Sequence, residues 1–199
     1  MFSAAQVDEF NRDGYLVVRG LTSAADCAAL KAVAEQHLAA AIAPVEFEAE
    51  THYPGAPSSL DAPGGRTIRR LLQAYARDKA FARWAVQPAV GERLKQLLGP
   101  RIELSQAHHN CVMTKNPSYS SITSWHQDIR YWSFARPELV SVWLALGSER
   151  FENGALMVLP GSHLNTYAPA QLDEKLFLRT DVEENKPLIR TCRRLCLLY

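Results

Sequence analysis

At 199 residues the chain is long enough for one domain with a sizeable core, and its apolar fraction of 47% and charged fraction of 22% are ordinary for a globular protein. A formal charge of +1 gives no electrostatic footing for nucleic acid or acidic membranes, and no apolar run approaches the roughly 20 residues that cross a bilayer. The amino end lacks a basic segment followed by an apolar one, and Cys27, Cys111, Cys192 and Cys196 form no zinc-type C-x-x-C pair, so reduced thiols in a cytoplasmic protein are expected.

Ser3-Ala-Ala-Gln6 has the form of a capping box and predicts a short helix to about Asn11, with Val7 and Phe10 inward. Asp13-Gly14 is a turn signal, and the β-branched and aromatic content of Tyr15 to Arg19 predicts a strand. Ser23 opens a second helix in which Cys27, Leu30, Val33, Ala34, His37 and Leu38 fall at helical spacing. His37 on that stripe reads as a packed or half-exposed side chain. From Pro44 to Gly65 the chain is polar and rich in Pro and Gly, which predicts a long lid or binding loop, with His52 solvated inside it. Arg66, Arg69 and Arg70 follow as a basic cluster, either a solvated face or a contact for an anionic substrate or cosubstrate. Two helices are predicted next, from about Asp78 to Val86 and from Pro88 to Leu98, the second stopped by Gly99-Pro100.

The strand-rich half begins at Arg101. Alternation through Ile102 to Lys115 places His109, Cys111, Met113 and Lys115 on one face and His108, Asn110, Val112 and Thr114 on the other. A loop over 116–120 delivers the chain to Trp125-His126-Gln127-Asp128. In an extended segment His126 and Asp128 share a face, because side chains alternate with period two. Imidazole plus carboxylate is two-thirds of the 2-His-1-carboxylate triad that holds non-haem Fe(II) and leaves positions open. Leu139 to Leu146 predicts an apolar central strand, with Ser141 to Leu146 its core, and Met157 to Leu159 predicts another that leaves the sheet at Pro160-Gly-Ser-His163. Short strands behind helices, without a repeat or a clear linker, predict a single α+β domain over 1–199 with a β-sandwich or barrel core.

Read together, these segments resemble the phytanoyl-CoA dioxygenase family of Fe(II)- and 2-oxoglutarate-dependent oxygenases. The resemblance runs from Phe10 to about Arg190 and rests on Asn11 to Arg19, Trp125 to Asp128, Val142 to Leu146 and Glu152 to His163. It implies a double-stranded β-helix, a jelly-roll barrel of cupin type, with N-terminal helices packed on one side. It also implies His126 and Asp128 as iron ligands and catalytic residues, and Trp143, Lys115 and Cys111 as residues facing the 2-oxoglutarate pocket. The activity implied is hydroxylation of an unactivated C–H bond of a small organic substrate with O2, 2-oxoglutarate being decarboxylated to succinate. Related halogenases carry a small residue where Asp128 stands, so the carboxylate favours hydroxylation.

The resemblance also calls for a third ligand, a His on a later strand, followed by an Arg that pairs with the distal carboxylate of 2-oxoglutarate. No His follows His163, and His163 itself belongs to a turn. His108 and His109 precede the motif and require a different topology. Thr191 to Tyr199 holds two cysteines and no cap or turn, so the strands carrying the third ligand and the Arg are expected to be missing after about 190. Two other readings stay open on the residues: a catalytically inactive remnant or binding module of the same fold, and a cupin-like protein holding zinc through His126, Asp128 and another His.

Overall fold

The helices lie where cap chemistry puts them. In this computed structural model, which describes residues 1–197, α1 spans Ala4–Asp13. Ser3 Oγ accepts the Gln6 N–H and Gln6 Oε1 accepts the Ser3 N–H, so two otherwise orphaned donors are satisfied at once. Gly14, at φ 81°, then closes the helix in the left-handed conformation that glycine adopts without penalty. Helix α2 (Ala24–Ala39) buries Cys27, Leu30 and Ala34, all predicted inward, behind a Ser23 cap. Helix α5 (Lys79–Ala85) starts at an Asp78 cap, and α6 (Pro88–Leu98) starts on its proline as predicted. Two one-turn helices complete this half, α3 (Glu48–Thr51) and α4 (Ala74–Arg77).

The sheet that matters for the site has three antiparallel strands in the order β1 (Val45–Phe47), β2 (Ile68–Leu72) and β3 (Cys111–Met113). Its register sets Glu46 opposite Arg70, Arg70 opposite Met113, and Leu72 opposite Cys111. Leu71 in the central strand is fully buried and joins Leu30, Ala34 and Phe81 in the core, with Val33, Trp84, Val112, Leu144 and Leu146 packed around them. A second, two-stranded sheet pairs β4 (Met157–Val158) with β5 (Arg193–Arg194). No helix is long and apolar enough to cross a membrane among the described residues.

The predicted α+β class holds, while several elements differ. The segment 44–65 holds β1 and α3 and is therefore no continuous loop. Tyr15 to Arg19 and Leu139 to Leu146 are not paired into strands, and the strand predicted over 102–115 is confined to 111–113. The reason is that apolar alternation reports burial, whereas a strand also needs a neighbour for its N–H and C=O groups. Leu144 and Leu146 do pack against the core, so their pattern reports burial correctly.

Three of the most deeply buried side chains are polar. Arg69 is fully buried, and its guanidinium donates to Ser121 Oγ at 2.6 Å, Thr123 Oγ1 at 2.5 Å and Glu48 Oε2 at 3.3 Å. Glu48 Oε2 also accepts the Ser121 N–H at 3.0 Å and its hydroxyl at 2.6 Å. The predicted basic cluster is thereby divided. Arg69 is a tie between β2, α3 and 121–123, Arg66 faces Asp61 in solvent at 3.7 Å, and Arg70 turns to a cavity. Replacing one member of a buried ion pair leaves an uncompensated charge, so Arg69→Met is expected to cost about 3–5 kcal/mol in urea unfolding. A loss below about 1 kcal/mol would contradict the role of this tie.

Candidate metal centre

The segment carrying His126 and Asp128 is held at both ends. The Trp125 carbonyl accepts the Leu178 N–H at 2.8 Å, and the Gln127 side chain donates to the Ser162 carbonyl at 2.9 Å, within the Pro160 to His163 turn. Gln127 is extended, as predicted, but Asp128 starts a 3-10 turn over Asp128–Tyr131 and does not continue a strand. The two side chains converge all the same. His126 Nε2 lies 3.3 Å from Asp128 Oδ1.

The outer atoms of both groups are occupied. His126 Nδ1 lies 2.8 Å from the Ser124 carbonyl, an arrangement in which the ring nitrogen donates, and Ser141 Oγ donates to Asp128 Oδ2 at 2.8 Å. With Nδ1 turned to Ser124, a proton or a cation has to lie between His126 Nε2 and the carboxylate oxygen it faces. This is the arrangement by which partners on the outer side orient histidine and carboxylate ligands.

A third donor stands beside them. Sequence order sets His109 aside because it precedes the His-x-Asp motif, and the third donor is therefore expected to be missing. The structure nevertheless sets His109 beside the pair. His109, two residues before β3, lies 3.7 Å from Asp128 Oδ1 through Nε2. One donor atom from each of His109, His126 and Asp128 lies within 4.8 Å of the others, and none of the three side chains is fully exposed. His109 rests against Tyr131 and Trp132, with ring centroids at 4.6 and 5.3 Å. The signal that could have found it is the predicted face shared by His109, Cys111 and Met113.

Burial alone would push the Asp128 carboxyl up; contact with His126, the hydrogen bond from Ser141 and the neighbouring imidazoles outweigh it and hold the group down at about 2. Burial lowers the His109 pKa against the pull of Asp128, which favours the neutral, ligating ring. The donor set of two imidazoles and one carboxylate fits a divalent transition metal with positions left open.

A cavity of about 240 Å³ adjoins this cluster, and Arg70, Glu46, Tyr53, Tyr131, His108 and His109 are among the residues lining it. Arg70 is 13% exposed and lies 3.3 Å from Glu46 Oε2 through Nη1. Tyr131 shares a hydrogen bond with Tyr53, 3.3 Å between hydroxyls, and burial together with that contact pushes its phenol up to about 12. Burial likewise pushes the Cys111 thiol up to about 11. Lys115 donates to the Ser121 carbonyl at 3.4 Å, and the half-exposed Trp143 donates to the Glu149 carboxylate at 3.0 Å. Neither lines the cavity, and neither does Cys111. His163 lies 3.1 Å from the Asn11 carbonyl, away from the cluster, as expected of a turn residue.

Comparison with known proteins gives a consistent family. The family model for phytanoyl-CoA dioxygenase (PhyH) matches residues 10–196. The ectoine dioxygenase of Sphingopyxis alaskensis is 29% identical over 166 residues, 81% of this chain and 50% of that protein. The human peroxisomal phytanoyl-CoA dioxygenase is 27% identical over 188 residues, 89% of this chain and 54% of that protein. The chain thus spans about half the length of these relatives. The crystal structure of EctD from S. alaskensis with 2-oxoglutarate and 5-hydroxyectoine superposes with a TM-score of 0.73 at 23% identity, covering 99% of this chain and 64% of that one. That likeness shows a shared fold, in keeping with the expected jelly-roll core, although the described residues hold two small sheets and no closed barrel.

A carboxyl held below its usual 3.8 adds stability above its unfolded pKa and loses it as pH falls through the folded value. The stability difference between the wild-type chain and Asp128→Asn is therefore expected to narrow between about pH 4 and about pH 2. Urea unfolding at stepped pH measures it, and a difference that stays constant over that range would contradict the depressed pKa.

Proposed function

The chain belongs to the phytanoyl-CoA dioxygenase family, and we propose that it is an Fe(II)- and 2-oxoglutarate-dependent dioxygenase that hydroxylates an unactivated C–H bond of a small organic substrate. The observation that carries this reading is the convergence of His126 Nε2 and Asp128 Oδ1 at 3.3 Å, each with its outer atom already hydrogen-bonded. In this reading His126 and Asp128 hold the iron. The bound ion supplies the oxygen chemistry, with electrons from the cosubstrate.

What remains for the protein is orientation, charge and exclusion. Ser124 keeps the His126 proton on Nδ1, and Ser141 keeps one carboxylate oxygen of Asp128 away from the site. The Asp128 carboxylate stays ionised at neutral pH and occupies the position that a halide would need, which favours hydroxylation. The Cys111 thiol and the Tyr131 phenol, both raised well above neutrality, stay protonated and do not compete as anionic ligands. Arg70 supplies a cation in the cavity wall for a carboxylate. Cys111, Lys115 and Trp143, expected to face the cosubstrate, lie outside the lining of this cavity, so Arg70 is the proposed carboxylate contact. A cavity of about 240 Å³, at about 30 Å³ per water, has the volume of roughly eight waters and suits a small molecule. The relatives are named for dioxygenation of ectoine and of phytanoyl-CoA.

The test is cosubstrate turnover. With Fe(II), ascorbate, O2 and 2-oxoglutarate, the purified chain is expected to form succinate, followed by proton NMR, and Asp128→Ala or removal of iron by a chelator is expected to reduce it to background. A folded, iron-loaded chain that forms no succinate would overturn the proposal.

A further inference from the structure

Building on the iron site proposed above, we infer that the end of α1 and the turn 160–163 form one latch that aims His126 and Asp128 through Gln127. Gln127 and His163 are then positioning residues. The two halves of the latch lie in segments that carry the family resemblance, Asn11 to Arg19 and Glu152 to His163, yet neither segment supplies a donor to the cluster.

The latch starts from a bonding need. The last four carbonyls of an α-helix have no partner within it. In α1 these belong to Phe10, Asn11, Arg12 and Asp13. The Gly14 N–H donates to the Phe10 carbonyl at 2.7 Å, and the turn supplies two more donors. His163 Nε2 donates to the Asn11 carbonyl at 3.1 Å, and the Gly161 N–H donates to the Asp13 carbonyl at 2.9 Å. The His163 ring also lies directly against Gly14, where an added Cβ would stand 2.3 Å from Nδ1. Glycine alone leaves room for that ring, and glycine takes the φ of 81° found there without strain.

The turn passes this position on to the ligand segment. The Gln127 amide donates twice to it, to the Ser162 carbonyl at 2.9 Å and to the Asn165 carbonyl at 3.3 Å. Those two carbonyls bracket the 3-10 turn Ser162–Leu164 that carries His163. Gln127 itself is extended, at φ −99° and ψ 131°. In extended backbone its side chain points away from the face that His126 and Asp128 share. Holding the middle side chain from behind therefore fixes the aim of the two in front, as outer partners orient metal ligands. The contact between Asn11 and His163 spans 152 residues of chain, so the N-terminal helix and the ligand segment rest on one fixed point.

The test follows side-chain signals of the metal-free, isotope-labelled 199-residue chain by proton–nitrogen correlation NMR. His163→Phe keeps a ring against Gly14 but removes the donor, and it is expected to displace the Gln127 amide and His126 imidazole signals. His163→Gln keeps an N–H for the Asn11 carbonyl and is expected to return them toward wild type. Gly14→Ala, which drives a Cβ into the same ring, is expected to give the displacement seen in His163→Phe. Gln127→Leu is expected to displace the His126 signals and to weaken Co(II) binding ~10–100-fold, the range of outer-partner losses, with His163→Phe adding nothing to it. Unmoved Gln127 and His126 signals in a folded His163→Phe chain of lowered urea stability would reduce the turn to a structural contact and overturn the inference. Full additivity of His163→Phe and Gln127→Leu would overturn it as well. A folded wild-type chain that binds no Co(II) would overturn the iron site, while the signals of the metal-free chain still decide the latch.

Discussion

The buried ion pair of Arg69 and Glu48 is the constraint on which the site depends. Two charges taken out of water cost several kcal/mol each, and the attraction between them offsets this only if the remaining donors and acceptors are also met. Here Ser121 and Thr123 meet the guanidinium Nη atoms and the Glu48 carboxylate, Arg69 Nε is left with only Glu46 at 3.9 Å, and the Tyr53 ring lies 5.3 Å from the guanidinium carbon. The consequence is directional. Ser121 and Thr123 lie just before Trp125 and His126 in sequence, so satisfying Arg69 fixes where the ligand-bearing segment leaves the sheet. An apolar pair of similar volume could fill the same space without fixing that exit. The polar tie therefore serves placement more than it serves net stability.

From that anchor the chemistry of the cluster follows from which atoms are already taken. Ser141 takes one oxygen of Asp128, and Ser124 takes one nitrogen of His126. The atoms left over face one another, and His109 approaches the same oxygen from just before β3. A carboxylate that stays ionised and a His109 ring that burial keeps neutral form a site of net charge −1, which attracts a dication without a full shell of competing anions. The neighbouring cavity adds one guanidinium, Arg70, on the strand paired with β3.

Much of this was legible in the sequence, and the limits have physical causes. The Ser3-Gln6 capping box, the Pro88 helix start and the inward stripe of α2 were readable because local backbone groups settle them. The His126-x-Asp128 pair was readable because an extended backbone sets both side chains to one side whether or not a ladder forms. Strands over 15–19 and 139–146 were not, since a strand depends on a partner elsewhere in the chain. Arg69 looked like its exposed neighbour Arg66, because a single sequence does not reveal that Glu48 and Ser121 will surround it. The approach of His109 to Asp128 Oδ1, at 3.7 Å, leaves no local trace either, because it depends on how the chain between them folds back.

Joint binding of iron and cosubstrate at this cluster is open to an anaerobic titration with Fe(II) and 2-oxoglutarate. Bidentate 2-oxoglutarate on Fe(II) produces a visible metal-to-ligand charge-transfer band. The band is expected to saturate at one equivalent of iron per chain and to be absent in Asp128→Ala. A folded wild-type chain that develops no band, or a band that survives in Asp128→Ala, would contradict it.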